Sequence, residues 1–230
     1  MQNIEAYPIP GFREPFSCFT HLAAAPVFAV LGYFLVRRGR GSISRTVSLA
    51  ILVLSSVFLL SMSGTYHLLE HGTTRDVMRQ LDVAGVFVLI AGTVTPVHTI
   101  LFRGFDRWMP LLLIWSVAAA GILLRTMYPD GLATGFATSI FLLMGWGGIV
   151  SFVRLWRRYG FSFVRPVLLG GLSYTAGVFI LDLNWPTPIP GIIGAHELWH
   201  VAVLAGLGLH WKFVFQFADG PPEDQLTQLS

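Results

Sequence analysis

The chain has 230 residues, of which 54% are hydrophobic and 12% charged, with 18 Phe and 7 Trp. Soluble domains carry roughly 25% charged residues. The composition is therefore that of a chain whose solvent is largely lipid, and it excludes a disordered protein. The one cysteine, Cys18, excludes a small secreted scaffold held by intrachain disulfides. A net charge of +3 raises the question of nucleic acid, but the basic residues are Arg throughout except Lys212 and lie mostly in short loops between apolar runs. They are read as topology and lipid headgroup contacts, with no nucleic-acid partner.

The polar N-terminal segment, residues 1–16, contains Glu5, Pro8, Pro10, Arg13 and Glu14. It lacks the basic start of a signal peptide, so the first apolar helix is expected to be retained. A bilayer core needs ~20 apolar helical residues. Seven stretches qualify in turn: Cys18 to Val36, Val47 to Leu68, Val83 to Leu101, Met109 to Leu124, Thr134 to Phe152, Val167 to Leu181 and Gly194 to Phe215. They are continuous and do not alternate, which argues against barrel strands. The reading is an all-α integral membrane bundle of seven transmembrane helices over residues 17–217. A polar tail, 218–230, contains Pro221 and Pro222 and is expected to be mobile. Gly145 to Gly148 and Gly170-Gly171 read as points of close helix packing. The proline-rich loop Trp185 to Pro190, on the side of the paired histidines, reads as a stiff connector, with a lid over the site as the alternative.

An odd number of spans puts the termini on opposite sides. The N-terminal side receives Arg13, Arg75, Arg79 and Arg125. The other side receives the rest of the 15 basic residues, among them Arg37, Arg38, Arg40, Arg45 and Lys212. The positive-inside rule places the C-terminus in the cytoplasm and the N-terminus outside.

Ionisable and polar groups inside membrane helices are costly and usually functional. Ser63 and His67 lie near the end of the second span, Asp82 opens the third, and His196 and His200 lie at the start of the seventh. A spacing of four puts two helical side chains on one face, one turn apart. His196 and His200 can therefore point at one ion, and so can Ser63 and His67. All of these residues fall in the same leaflet. Three imidazoles from two helices meet the ligand count of a catalytic zinc site, which keeps a further position for water. His21, His98 and His210 read as structural hydrogen-bond partners. Met62, Met144 and the Phe and Trp residues read as packing and interface anchors.

Two other chemistries fit parts of the pattern. His196-Glu197-x-x-His200 has the zincin form, with the glutamate as general base, and would suit an intramembrane metalloprotease. Its later carboxylates, Asp219, Glu223 and Asp224, all lie in the polar tail. A haem held by two histidines from different helices is the other option, although the close pair within one helix does not favour it.

The ordered set Ser63-x-x-x-His67, Leu81-Asp82-x-x-Gly85, Ala91-Gly92-Thr93-x-Thr95-Pro96 and His196-x-x-x-His200 resembles the hemolysin III proteins of bacteria. These belong with the progestin and adipoQ receptors, which include the adiponectin receptors, and more distantly with alkaline ceramidases. The resemblance covers nearly all the chain except the two tails, beginning at Thr20-His21. It implies a seven-helix fold in the bacterial inner membrane, with zinc held by His67, His196 and His200. It also implies a zinc-bound water held by Asp82, with Ser63 close by, and hydrolysis of an amide bond in a ceramide-like lipid. Glu197 departs from the adiponectin receptors, where this position is not acidic, and the expected orientation is opposite to theirs.

In the hydrolytic reading Asp82 orients the water and takes its proton, while Ser63 bonds the substrate carbonyl or orients a ligand, or simply bonds back to its own helix. The competing class is a non-enzymatic, receptor-like membrane protein in which zinc is a structural clamp between the second and seventh spans. A clamp is closed by four protein ligands, and a hydrolytic site stays open. A pore-forming hemolysin is a third class, which a seven-helix integral protein suits poorly.

Overall fold

The computed structural model describes residues 14–128 and 134–222, with the side chains of 134–137 left aside. Eight helices follow one another: α1 (Pro15–Arg38), α2 (Ile43–Leu68), α3 (Thr73–Leu101), α4 (Phe105–Met127), α5 (Thr134–Trp146), α6 (Ile149–Tyr159), α7 (Phe161–Leu183) and α8 (Ala195–Phe215). There is no strand among the described residues. Seven segments are long and apolar enough to cross a membrane, the fifth being α5 and α6 taken together over Thr138–Tyr159. The chain is a multi-pass membrane protein, and the apolar outer face agrees with that. Only 17% of the apolar window of α4 and of α7 is buried within the bundle, far more outward apolar surface than a water-facing monomer carries.

The observed helices are longer than the apolar runs. α3 begins at Thr73, ten residues before Val83, and α4 begins at Phe105. Hydropathy marks the part of a helix that lipid covers, whereas hydrogen bonding carries the helix on through polar residues such as Thr73 to Gln80. Asp76 in the first turn of α3 complements the helix dipole there. Asp82 therefore does not open α3. It lies nine residues in, about 13 Å along the axis at 1.5 Å per residue.

α2 is the most enclosed span, with half of its apolar window buried. It packs against α1 on one side and α3 on the other. Small residues permit this. Gly92 of α3 sits over Ser55, and Gly64 of α2 sits against Leu22 of α1. Membrane helices associate through such close contacts, because lipid gives apolar side chains no reason to prefer each other. α8 packs on α7 and α1, and α5 lies against α3 and α7.

The glycine expectations divide. Gly170 does mark close packing, against His210 of α8. Gly145 and Gly148 do not; no neighbouring side chain crowds either position. The fifth span instead breaks at Gly147-Gly148, so that α6 starts afresh at Ile149. The Trp185 to Pro190 loop leads into a short backbone bridge between Ile189 and Ile193. Of the polar tail, Ala218 is fully buried and Asp219 pairs with Arg38 at 2.9 Å. Residues 1–13, 129–133 and 223–230 lie outside the described part, and with them Glu5, Arg13, Glu223 and Asp224.

Candidate metal centre

Connectivity alone brings four helix ends together. The start of α1, the end of α2, the start of α3 and the start of α8 lie at one end of the bundle. His67 and Ser63 come from the last turns of α2, and His196 and His200 from the first turns of α8. The ligand atoms of His67, His196 and His200 all lie within 4.8 Å of one another, an arrangement that could hold a metal ion. Ring centroids are 4.6 Å apart for His67 and His200 and 5.0 Å for His67 and His196. Rings this close leave no room for a porphyrin between them. His67 and His200 are buried, 1% and 3% exposed.

The donor set fits a cation. His67 Nδ1 lies 2.5 Å from Glu14 Oε2. A carboxylate only accepts, so Nδ1 carries the proton and His67 offers Nε2 when neutral. His200 Nδ1 faces His21 Nε2 at 2.9 Å, and its Nε2 faces His196 Nε2 at 3.0 Å. Two imidazole nitrogens on a tetrahedral zinc, each at ~2.0–2.1 Å, stand about 3.3 Å apart. The measured separation is close to that. Outer partners such as Glu14 and His21 are what orient metal-bound imidazoles and set their tautomers.

Glu14 is the site residue that the sequence pattern missed, hidden in the polar segment before the first span. Its backbone N–H donates to His67 O at 3.2 Å, and its Oε1 accepts from Arg75 Nη2 at 3.0 Å. Its Oε2 also lies 3.5 Å from His196 Nε2. Arg75, only 8% exposed, in turn covers the Tyr66 ring at 4.2 Å and donates to Leu69 O. Burial pushes the Glu14 carboxyl up. The His67 hydrogen bond and the charges of His67, His196 and Arg75 outweigh burial and hold it at about 2. The one available signal was position: an acid directly before Pro15 at the first turn of a helix, on the histidine side.

Asp82 and Ser63 lie beside the cluster and outside it. The Asp82 carboxylate interacts with the Ser63 hydroxyl and, through space, with His67 and Glu14. It is not among the atoms that converge within 4.8 Å. Other hydroxyls of this helix behave differently: Ser55, Ser56 and Thr65 bond back to carbonyls three or four residues earlier. Glu197 faces away from any metal role. Its Oε2 accepts from Gly194 N–H at 3.0 Å, and its Oε1 from Ser17 Oγ at 3.4 Å. It caps α8 and ties it to α1. The zincin reading needs this carboxylate at the metal, and the geometry removes it.

The three remaining membrane histidines are hydrogen-bonded, two of them to backbone carbonyls and His21 to the cluster itself. His21 meets His200, His98 Nδ1 meets Asp106 O at 2.8 Å, and His210 Nε2 meets Val167 O at 3.3 Å. An apolar cavity of about 200 Å³ runs between α3, α5, α6, α7 and α8. It does not contain the three histidines, but Trp199, next to His200, forms part of its wall.

Comparison with known proteins agrees with this architecture. The family described as Haemolysin-III related matches residues 11–211. The Hemolysin-3 homolog of Bacillus subtilis (strain 168) is 29% identical over 167 residues, covering 72% of this chain and 75% of that protein. Hemolysin-3 of Bacillus cereus is 30% identical over 170 residues, covering 72% and 73%. An uncharacterized protein of Schizosaccharomyces pombe is 25% identical over 225 residues, covering 89% of this chain and 51% of the yeast protein. With the match running from before α1 into α8, the chain belongs to the Haemolysin-III related family.

Proposed function

We propose that the protein is a zinc-dependent membrane hydrolase that cleaves an amide bond in a ceramide-like lipid, with His67, His196 and His200 as zinc ligands. The observation that carries this reading is the convergence of three imidazoles beside a Ser63–Asp82 pair that stands outside the ligand set. Zinc with three protein ligands keeps one position open, polarises a carbonyl and lowers the pKa of water towards ~7. Asp82 accepts the proton of the attacking water and returns it to the departing amine. Ser63 Oγ–H donates to Asp82 and holds the carboxylate in place. Glu14 and His21 orient two of the three imidazoles. The apolar cavity that begins at Trp199 takes a lipid chain. By the positive-inside rule the C-terminus is cytoplasmic and the site opens to the outer leaflet of the inner membrane.

Metal content is the first test. Elemental mass spectrometry of the detergent-purified protein is expected to give about one zinc per chain, and none in a variant with His67, His196 and His200 all changed to Ala. The chemical test is Asp82→Asn. It is expected to keep its zinc and to lose about 10²- to 10⁴-fold in lipid-amide hydrolysis, the range of a general base. An unchanged rate would remove the proton-handling role.

One observation favours the second reading, a receptor-like protein with structural zinc. Glu14 Oε2 lies 3.5 Å from His196 Nε2, and it would close the site as a fourth ligand if it left its hydrogen bond with His67 Nδ1. X-ray absorption on the zinc-loaded protein separates the two: four protein ligands mean a clamp, three with an exchangeable water mean a hydrolase.

A further inference from the structure

At the end of the cavity away from the three histidines, His98 and Ser151 face each other. Ser151 Oγ lies 3.2 Å from His98 Nε2, and His98 Nδ1 lies 2.8 Å from the backbone oxygen of Asp106. A carbonyl oxygen can only accept, so neutral His98 carries its proton on Nδ1. Nε2 is then a lone pair, and the Ser151 hydroxyl must donate to it. This is the polarity of an activated nucleophile: a hydroxyl bonded to a base that a third group orients. The base is well fixed. His98 is 3% exposed and stacks on Phe102 with ring centroids 4.7 Å apart. Arg154, one turn beyond Ser151 on α6, binds the Asp106 carboxylate at 2.6 Å and so ties α6 to the residue that orients His98.

Both side chains line the apolar cavity, together with Gly148 and Ile149. The break at Gly147-Gly148 makes Ser151 the third residue of a new helix. The first turn of a helix leaves its N–H groups without intrahelical acceptors, and such groups stabilise an oxyanion. An unbroken fifth span would have used them up. The glycine break therefore gives nucleophile and oxyanion donors one origin.

We propose that Ser151 and His98 form a second, metal-independent acyl-transfer site that takes the oxygen ester of a long-chain lipid, its chain lying in the cavity. Ser151 Oγ bonds to the ester carbonyl carbon as its proton passes to His98 Nε2. The carbon–alkoxy bond breaks and the alcohol leaves with that proton. Water then attacks the acyl-serine, gives a proton to His98, and releases the fatty acid while Ser151 regains its hydrogen. Ester and water become acid and alcohol.

The test is a long-chain alkyl fluorophosphonate on the full-length, detergent-purified protein, read by mass spectrometry. Ser151 Oγ bonds to phosphorus and fluoride leaves. One adduct per chain on Ser151 is expected, and none in Ser151→Ala. His98→Gln is expected to slow labelling by about 10²-fold or more. If that variant does not fold, the loss of one oxygen in Ser151→Ala still decides the matter. Chelator-treated protein is expected to label at the parent rate. A folded parent that stays unlabelled, an adduct on another residue, or labelling abolished by chelator would each overturn the proposal.

Discussion

Membrane histidines occur at both ends of this bundle, and their partners differ in kind. At the α6 end His98 and His210 aim a ring nitrogen at a backbone carbonyl. At the α1 end His21, His67, His196 and His200 aim ring nitrogens at one another and at Glu14. A carbonyl settles a histidine by itself: it fixes one tautomer and asks nothing further. Nitrogen facing nitrogen does not, because each contact needs one proton or a shared cation. The first arrangement needs no shared cation, and the second nitrogen of His98 is met by the Ser151 hydroxyl. The second has room for a shared cation, and the Arg75–Glu14 pair beside it supplies a carboxylate already held in its charged form.

The comparison breaks most decisively at His200, which touches both His21 and His196. His200→Ala is expected to abolish metal binding, taking the protein from about one equivalent to none by elemental analysis. His210→Gln, whose parent side chain meets only a carbonyl among the described hydrogen bonds, is expected to keep full metal content. Equal loss in both variants would mean that the two ends do not differ in the way their hydrogen bonds suggest.

Glu14 sharpens the same contrast at the next level. Glu14→Gln keeps the size and the backbone contact with His67 but removes the charge. Losing an outer carboxylate partner typically costs 10- to 100-fold in metal affinity, and that is the expected shift in a competitive chelator titration. A variant that bound metal like the parent would make Glu14 an anchor of the chain entry alone.

Legibility in the sequence followed the same line. The seven spans were readable because lipid imposes long apolar runs, and the paired histidines because helical spacing of four is a local rule. The extra turns of α3 were not readable from hydropathy, since Thr73 to Gln80 is polar and helical at once. The break before Ile149 was not readable either, because glycines serve both close packing and helix interruption, and only neighbours decide. Glu14 joins the site through contacts with residues more than fifty positions away, and no local pattern announces such a contact. Ser63 was ambiguous for a similar reason: its partner lies on another helix.

Packing rather than charge carries the next effect. Gly64, one turn before the end of α2, lies so close to α1 that an added Cβ meets the side chain and backbone of Leu22. Gly64→Ala is expected to cost about 1–3 kcal/mol through overpacking, read as a lower melting temperature in detergent. Because α1 carries His21 and follows directly on Glu14, metal affinity should weaken with it. An equivalent crowding at Gly170, against His210, should lower stability and leave metal content alone.

The smallest effect belongs to the charged rim at the far end. Asp219 accepts from Arg38 at 2.9 Å, and that hydrogen bond, outweighing slight burial, lowers its carboxyl below the ordinary value of 3.8. A lowered folded pKa means that the pair contributes above the ordinary carboxylate range and is lost as pH falls through the folded value. Both side chains are widely exposed, 43% and 62%, so solvent screening leaves under about 0.5 kcal/mol. Asp219→Asn should therefore lower the melting temperature only slightly at neutral pH, with the difference from the parent vanishing in acid. The arginines have a second hold that the substitution spares: Arg38 donates to Phe215 O and Arg45 to Asp219 O, both backbone carbonyls near the end of α8. A large effect would show that the carboxylate, and not these carbonyls, fastens the last residues of the chain to α1 and α2.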